Sequence, residues 1–182
     1  MIPEVTPDFL SISKRSLSTE TKAISIPEKK AEKACKHGIP SIAVSGIQNL
    51  GLYGALPEDL VKIISTCEVQ EVAFIFDSDW DDISSNIRIN DQVEKRPRCF
   101  FYAAKNFKEY MRSLKNRNIF VEIFVGHINK NEAGDKGLDD LLANSLRGKE
   151  EELAADIEFA CNEKKGLGKY IAVSYTHLRA HE

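Results

Sequence analysis

Acidic side chains are concentrated directly after one strongly apolar segment of the sequence. Residues 71–76 read EVAFIF, and four aspartates follow within six positions, beginning with Asp77 and Asp79. Because residues two apart in an extended chain project to the same side, the carboxylates of Asp77 and Asp79 can converge on one cation. Oxygen-only ligand sets of this kind suit Mg²⁺ or Mn²⁺, which can in turn hold phosphate oxygens. The alternative is a solvated acidic loop that ends a strand.

Basic residues follow the aspartates in the chain. The segment Lys95-Arg96-Pro97-Arg98 closes a long connection that begins at Trp80 and shows no convincing periodicity. Loops of such length inside compact domains are usually functional or disordered. The next helix carries basic residues on its exposed side: Lys105, Lys108, Arg112 and Lys115. These residues can guide a nucleic-acid backbone toward the acidic centre, or they can form an ordinary solvated helix face.

Alternating apolar and amphipathic segments predict the elements that position these side chains. The sequence predicts strands at 22–26, 41–44, 71–76 and 120–125, and helices at 28–37, 58–67, 99–115, 138–146 and 149–165. This alternation indicates right-handed crossovers and a parallel sheet. We therefore predict a three-layer α/β fold with a four-stranded, mainly parallel, Rossmann-like sheet and helices on both faces. Ligands of such sheets bind at the carboxyl ends of the strands, where the strand order reverses.

Composition excludes several classes of protein. The 182 residues are 42% hydrophobic and 29% charged, with a net charge of −3, which rules out collagen, coiled coil and wholesale disorder. The longest uncharged stretch, 38–57, is interrupted by Gly, Pro, Ser, Gln and Asn, which an ordinary membrane span does not tolerate. Residues 1–10 contain no apolar signal-peptide region. We therefore expect a cytoplasmic protein with no membrane partner.

Four segments, in order along the chain, carry a family resemblance. They are Glu28-Lys29-Lys30-Ala31, Gly38-Ile39-Pro40 leading into Val44-Ser45-Gly46-Ile47, Phe76-Asp77-Ser78-Asp79, and Lys136-Gly137-Leu138-Asp139-Asp140-Leu141-Leu142. Together they resemble the uncharacterised TOPRIM-like domain of primase and helicase proteins from phages, plasmids and other mobile elements. The resemblance implies a Mg²⁺-dependent (or Mn²⁺-dependent) module that performs nucleotidyl transfer or phosphodiester cleavage on DNA or RNA. It also implies a further helicase or primase domain on the C-terminal side.

The resemblance assigns roles to individual residues. Asp77 and Asp79 match the catalytic, metal-binding aspartates, and Glu28 would be the catalytic acid or base. Glu28 lies two residues later than the family pattern places it, so either it reaches back or the domain is catalytically degenerate and only binds nucleic acid. Asp139 either joins the metal ligands at the same rim or simply meets the dipole of a short helix. The residues expected to contact phosphate or nucleic acid are Lys30, Ser45, Gly46, Lys95, Arg96, Arg98 and Lys136.

A third interpretation is a phosphatase of the haloacid dehalogenase type. A hydrophobic strand that ends in Asp-x-Asp, with Gly134-Asp135 and Asp139 later in the chain, fits part of that pattern. Against it, Trp80 stands where that pattern has glycine, and two strand–helix units precede the aspartates.

The chain divides into four predicted segments. Residues 1–20, rich in Ser, Thr and Pro, are expected to form an extended arm, and 21–147 form the TOPRIM-like domain. Residues 148–173 are expected to contain a helix and the start of a continuation. Residues 174–182 (SYTHLRAHE) closely resemble a translated sequencing-adapter fragment and are set apart from the fold prediction. We therefore expect the natural protein to continue beyond Val173.

Overall fold

The computed structural model describes residues 22–26, 28–43, 56–89, 91–162 and 167–175. The predicted arm at 1–20, together with Ser45 and Gly46, lies outside these residues. The strands are β1 (Lys22–Ile26), β2 (Ser41–Ala43), β3 (Glu71–Phe76), β4 (Asn86–Ile89), β5 (Gln92–Lys95), β6 (Glu122–Ile128) and β7 (Ile171–Tyr175). The helices are α1 (Glu28–Lys36), α2 (Glu58–Thr66), α3 (Arg96–Ser113), α4 (Leu138–Ala143) and α5 (Glu150–Asn162), with a 3₁₀ turn at Leu114–Arg117.

The main sheet has five strands in the order β2-β1-β3-β6-β7. The first four are parallel, and β7 runs antiparallel to β6. The predicted α/β class is confirmed, whereas the prediction of a four-stranded sheet is corrected by the mixed, five-stranded one. The sequence does not predict the fifth strand, β7, because its apolar part, 171–173, is short. Its last two residues belong to the segment that resembles adapter sequence.

Helices cover both faces of this sheet and form two apolar cores. On one face α1, α4 and α5 pack against β3, β6 and β7, and on the other α2 and α3 pack against β3 and β6. Side chains of β3 alternate between the two cores, with Ala73 and Ile75 in the first and Val72, Phe74 and Phe76 in the second. All residues of β3 are consequently buried, as its nearly continuous apolar sequence predicts.

A two-stranded antiparallel hairpin, β4–β5, lies between β3 and α3, where the sequence predicts no regular structure. Asp91 in its turn adopts a φ of 64°, a left-handed conformation that aspartate tolerates better than most residues. The backbone N–H of Arg96 donates to the carbonyl oxygen of Ser85 at 3.1 Å. The hairpin thereby fixes the start of α3, with Pro97 in its first turn.

The strand order reverses between β1 and β3. From β1 the chain passes through α1 to β2 on one side of β1, and it then returns through α2 to β3 on the other side. Because α1 and α2 cover opposite faces of the sheet, the carboxyl ends of β1 and β3 form the kind of reversal point at which α/β sheets usually bind ligands. Asp77 follows β3 directly and Glu28 begins α1, so the predicted site lies at this reversal.

Candidate functional site

Six charged side chains at the carboxyl end of β3 form two neighbouring groups of ion pairs, one around Lys30 and one around Asp79. We call them the charged cluster, and its members are Asp77, Asp79, Asp139, Lys30, Arg96 and Lys136. They come from the first turns of α1, α3 and α4, the turn after β3, and the segment that enters α4. Three carboxylates face three basic groups, so the formal charges of the cluster cancel.

Lys30 links two of the three carboxylates. Its Nζ forms an ion pair and a hydrogen bond with Asp77 Oδ1, and it lies 3.9 Å from Asp139 Oδ1. The Lys30 side chain is only 15% exposed, whereas both aspartates are 38% exposed. The structure therefore brings Asp77 and Asp139 together around a single positive group.

Asp79 faces different partners. Its Oδ1 accepts a hydrogen bond from Arg96 Nη1 at 3.0 Å, and its Oδ2 lies 4.0 Å from Lys136 Nζ. The expectation that Asp77 and Asp79 converge on one cation assumed an extended chain. The chain instead turns after β3, where the backbone N–H of Trp80 donates to the carbonyl of Asp77 at 3.2 Å. Asp77 consequently shares its cation with Asp139 rather than with Asp79.

Ser78 fixes the turn between the two aspartates. Its backbone N–H donates to the carbonyl of Lys136 at 2.8 Å, and its hydroxyl donates to the carbonyl of Asp135 at 3.2 Å. The residue is buried. These two bonds attach the acidic turn to the segment that precedes α4, so the cluster is held by backbone contacts as well as by its ion pairs.

Asp135 orders that preceding segment and was not predicted as a site residue. It is 2% exposed, and its carboxylate accepts hydrogen bonds from Asn144 Nδ2 at 2.8 Å, from Asn131 Nδ2 at 3.2 Å and from Ser145 Oγ. Burial alone would raise the pKa of this carboxyl, but the three side-chain donors outweigh it and hold the pKa below its usual value. These partners lie four residues before and nine and ten after Asp135, a spacing that no single helix or strand produces.

Gly137 and Asp140 explain how the segment reaches the cluster. A Cβ at position 137 would lie 2.5 Å from Lys30 Nζ and 2.7 Å from Asp139 Oδ1, so glycine makes room for the lysine. Asp140 Oδ2 accepts the backbone N–H groups of Lys136 at 3.2 Å and Gly137 at 3.3 Å, which stabilises the start of α4. The helix-start role therefore belongs to Asp140, and Asp139 faces the cluster.

The remaining predicted residues lie apart or outside the described side chains. Lys95 is exposed, and Arg98 pairs with Glu94 at 3.2 Å rather than with the cluster. Glu28 is the first residue of α1, but its side chain is not among those described. Lys130, which the sequence did not single out, donates to Asp81 at 2.8 Å and thereby lowers the pKa of that carboxyl.

An aromatic pair borders the acidic turn. The rings of Trp80 and His127 lie 5.3 Å apart between centroids, with an interplanar angle of 33°. Trp80 is the single tryptophan of the sequence and is adjacent to Asp79. Its fluorescence will therefore report changes at the cluster without interference from another indole.

The oxygen atoms of the cluster fit the ligand chemistry of Mg²⁺. Asp139 Oδ1 is buried and accepts no hydrogen bond, so it retains capacity for a cation. Among the residues the structure describes, no three His, Cys, Asp or Glu side chains are grouped to hold one ion. Mg²⁺ is commonly held by one or two carboxylates, with water and substrate phosphate completing its six positions. The pair Asp77 and Asp139 matches that requirement.

Comparisons with known proteins find no counterpart. Protein-family models, curated proteins and solved structures each give no match to this chain. In the described part of the chain, none of the helices has the length and apolar character that crossing a membrane requires.

Proposed function

We propose that the chain is a Mg²⁺-dependent TOPRIM-like module of a mobile-element replication protein, which acts on phosphodiester groups of DNA or RNA by nucleotidyl transfer or cleavage. The observation that carries the proposal is the charged cluster at the reversal of strand order, with three acids and three bases. A site for a metal ion and a phosphate needs both signs, because carboxylates hold the ion and Lys or Arg holds the phosphate. Without either ligand the opposite charges neutralise each other.

The chain's own residues divide into two sets in this proposal. Asp77 and Asp139 would hold Mg²⁺, which supplies neutralisation of the charge that develops on phosphate oxygens. Arg96 presents a planar guanidinium that can bind two phosphate oxygens at once, and Lys136 adds an exposed ammonium beside it. Glu28, at the same rim, remains the predicted general acid or base.

A second candidate is a module that binds nucleic acid without catalysing a reaction. It is supported by the ion pairs that Asp77 makes with Lys30 and Asp79 makes with Arg96, since the protein itself neutralises the predicted metal ligands. In that case Lys136, 69% exposed, would contact the nucleic-acid backbone with no metal ion involved.

Coupled titrations distinguish the two candidates. Trp80 fluorescence is followed while single-stranded and duplex oligonucleotides are added in Mg²⁺ or in EDTA at constant ionic strength. The Mg²⁺-dependent proposal predicts that Mg²⁺ tightens oligonucleotide binding at least about tenfold and that the oligonucleotide tightens Mg²⁺ binding by the same factor. Equal affinity in EDTA would favour binding alone. No binding under either condition would overturn both.

Matched variants and substrates complete the test. Asp77→Asn should abolish the coupling, whereas Asp59→Asn, an exposed aspartate on α2, should leave it intact. Labelled oligonucleotide with nucleoside triphosphates and Mg²⁺ should give extended or cleaved products on a denaturing gel. Turnover of para-nitrophenyl phosphate with phosphate attached to Asp77 would instead identify a phosphatase of the haloacid dehalogenase type.

A further inference from the structure

Lys30 brings its ammonium to Asp77 and Asp139, the two carboxylates proposed to hold Mg²⁺. Its Nζ contacts the first carboxylate directly and is 3.9 Å from the second. The space it fills exists because residue 137 has no side chain. An ammonium group thus contacts one carboxylate of the pair and lies near the other, and it is mostly shielded from solvent.

We infer that Lys30 is a competing internal cation, which occupies the divalent-ion position of the Asp77–Asp139 pair until a metal ion and a phosphate arrive together. The inference rests on the proposed function and adds a role that the family resemblance does not give. When both ligands bind, the ammonium leaves the carboxylates and forms an ion pair with a phosphate oxygen. A metal ion alone offers the displaced ammonium no new partner, so it binds weakly.

The neighbouring lysines of α1 make other contacts. Lys33, one turn later, donates to the backbone carbonyl of Asp139 at 2.7 Å and not to its carboxylate. Lys36 pairs with Glu32 at 2.7 Å on the exposed side of the helix. Among the described lysines of α1, Lys30 is therefore the one that contacts carboxylates of the cluster, and Lys36 provides a matched control.

Asp139 has a carboxylate oxygen that is free to contact a metal ion. Its buried Oδ1 accepts no hydrogen bond, because the Lys30 ammonium at 3.9 Å is too far to donate one. A divalent ion in place of the ammonium would attract both carboxylates. Repulsion between that ion and the Lys30 ammonium weakens metal binding. A variant without the ammonium charge should therefore bind the metal ion more tightly.

The test measures binding of Mn²⁺ alone by isothermal titration calorimetry and Trp80 fluorescence, without nucleic acid. Lys30→Met should bind Mn²⁺ at least about tenfold more tightly than the wild-type protein, which corresponds to about 1.4 kcal/mol. Lys36→Met and the charge-retaining Lys30→Arg should bind as weakly as wild type. Lys30→Gln, which keeps a polar side chain, serves as the second uncharged variant should Lys30→Met fail to fold. Unchanged or weaker Mn²⁺ binding by a folded, uncharged variant overturns the inference.

The outcomes separate this inference from the proposed function. Tighter Mn²⁺ binding by Lys30→Met without any Mg²⁺-dependent nucleic-acid binding supports the role of Lys30 and removes the replication function. Mg²⁺-dependent nucleic-acid binding in wild type, with no gain in Mn²⁺ affinity on removing the Lys30 charge, supports the function and removes the role of Lys30. If both hold, Lys30→Met should also lose most of the coupling between Mg²⁺ and oligonucleotide.

Discussion

Replacing Asp135 with asparagine changes one buried atom and tests how the segment before α4 is held. The carboxylate accepts hydrogen bonds from Asn131, Asn144 and Ser145. An asparagine keeps one acceptor oxygen and turns an NH₂ group toward a donor. Losing a hydrogen bond to a charged group costs about 1.5–3 kcal/mol, so we expect Asp135→Asn to lower the free energy of unfolding by about 1.5–3 kcal/mol.

The pH dependence of this loss follows from the pKa of Asp135. The folded-state pKa is lowered, so it lies below the value of about 3.9 for an unfolded aspartate. The carboxylate therefore stabilises the fold at pH values above the unfolded pKa, and the contribution disappears as the pH falls through the folded-state pKa. The difference between wild type and Asp135→Asn should be full at neutral pH and should shrink in acid.

Urea unfolding followed by Trp80 fluorescence at several pH values measures the loss in free energy of unfolding and its dependence on pH. Glu132→Gln, an exposed carboxylate in the same segment, is the matched control and should change stability by less than about 0.5 kcal/mol. A loss below about 0.5 kcal/mol for Asp135→Asn, or a loss that stays constant from neutral to acid pH, would show that the Asp135 carboxylate does not stabilise this segment.

Two further predictions concern the cores and the last strand. The carboxylate of Asp156 accepts the backbone N–H groups of residues 169–171 at 2.5 to 3.0 Å, so Asp156→Ala should lower the free energy of unfolding by about 1–3 kcal/mol. Thermal unfolding measures this loss, and exposed Glu158→Ala on the same helix should be nearly neutral. Phe107 is fully buried, so Phe107→Ala should cost about 3–5 kcal/mol in urea unfolding. Exposed Phe101→Ala should cost less than about 0.5 kcal/mol, and equal losses for the two phenylalanines would contradict the assigned core.

The main elements could be predicted because their sequences carry a strong period or a long apolar run. β3 is recognisable from EVAFIF, and the end of α1 from Gly38, whose φ of 80° suits glycine. The hairpin could not be predicted, since NIRI and QVEK have no apolar run and most of their described side chains are exposed. Its order comes from backbone pairing and from its attachment to α3, neither of which leaves a local sequence signal.

The site could be predicted only in part, for a similar reason. Asp77 is recognisable as the residue that ends a buried strand, but its partner Lys30 lies 47 residues earlier. Ser78 reaches Asp135 across 57 residues, and nothing local distinguishes that serine from others in a turn. The two-residue spacing of Asp77 and Asp79 predicts that their carboxylates lie on the same side of an extended chain. The chain turns after Asp77 instead, so the two carboxylates have different partners.

Anomalous diffraction from crystals grown with Mn²⁺ and a short oligonucleotide locates the bound ion. We predict an anomalous peak about 2 Å from carboxylate oxygens of both Asp77 and Asp139. We also predict that the Lys30 ammonium has moved from Asp77 to a phosphate oxygen. A peak confined to other acidic residues, with Lys30 still bound to Asp77, would contradict both predictions.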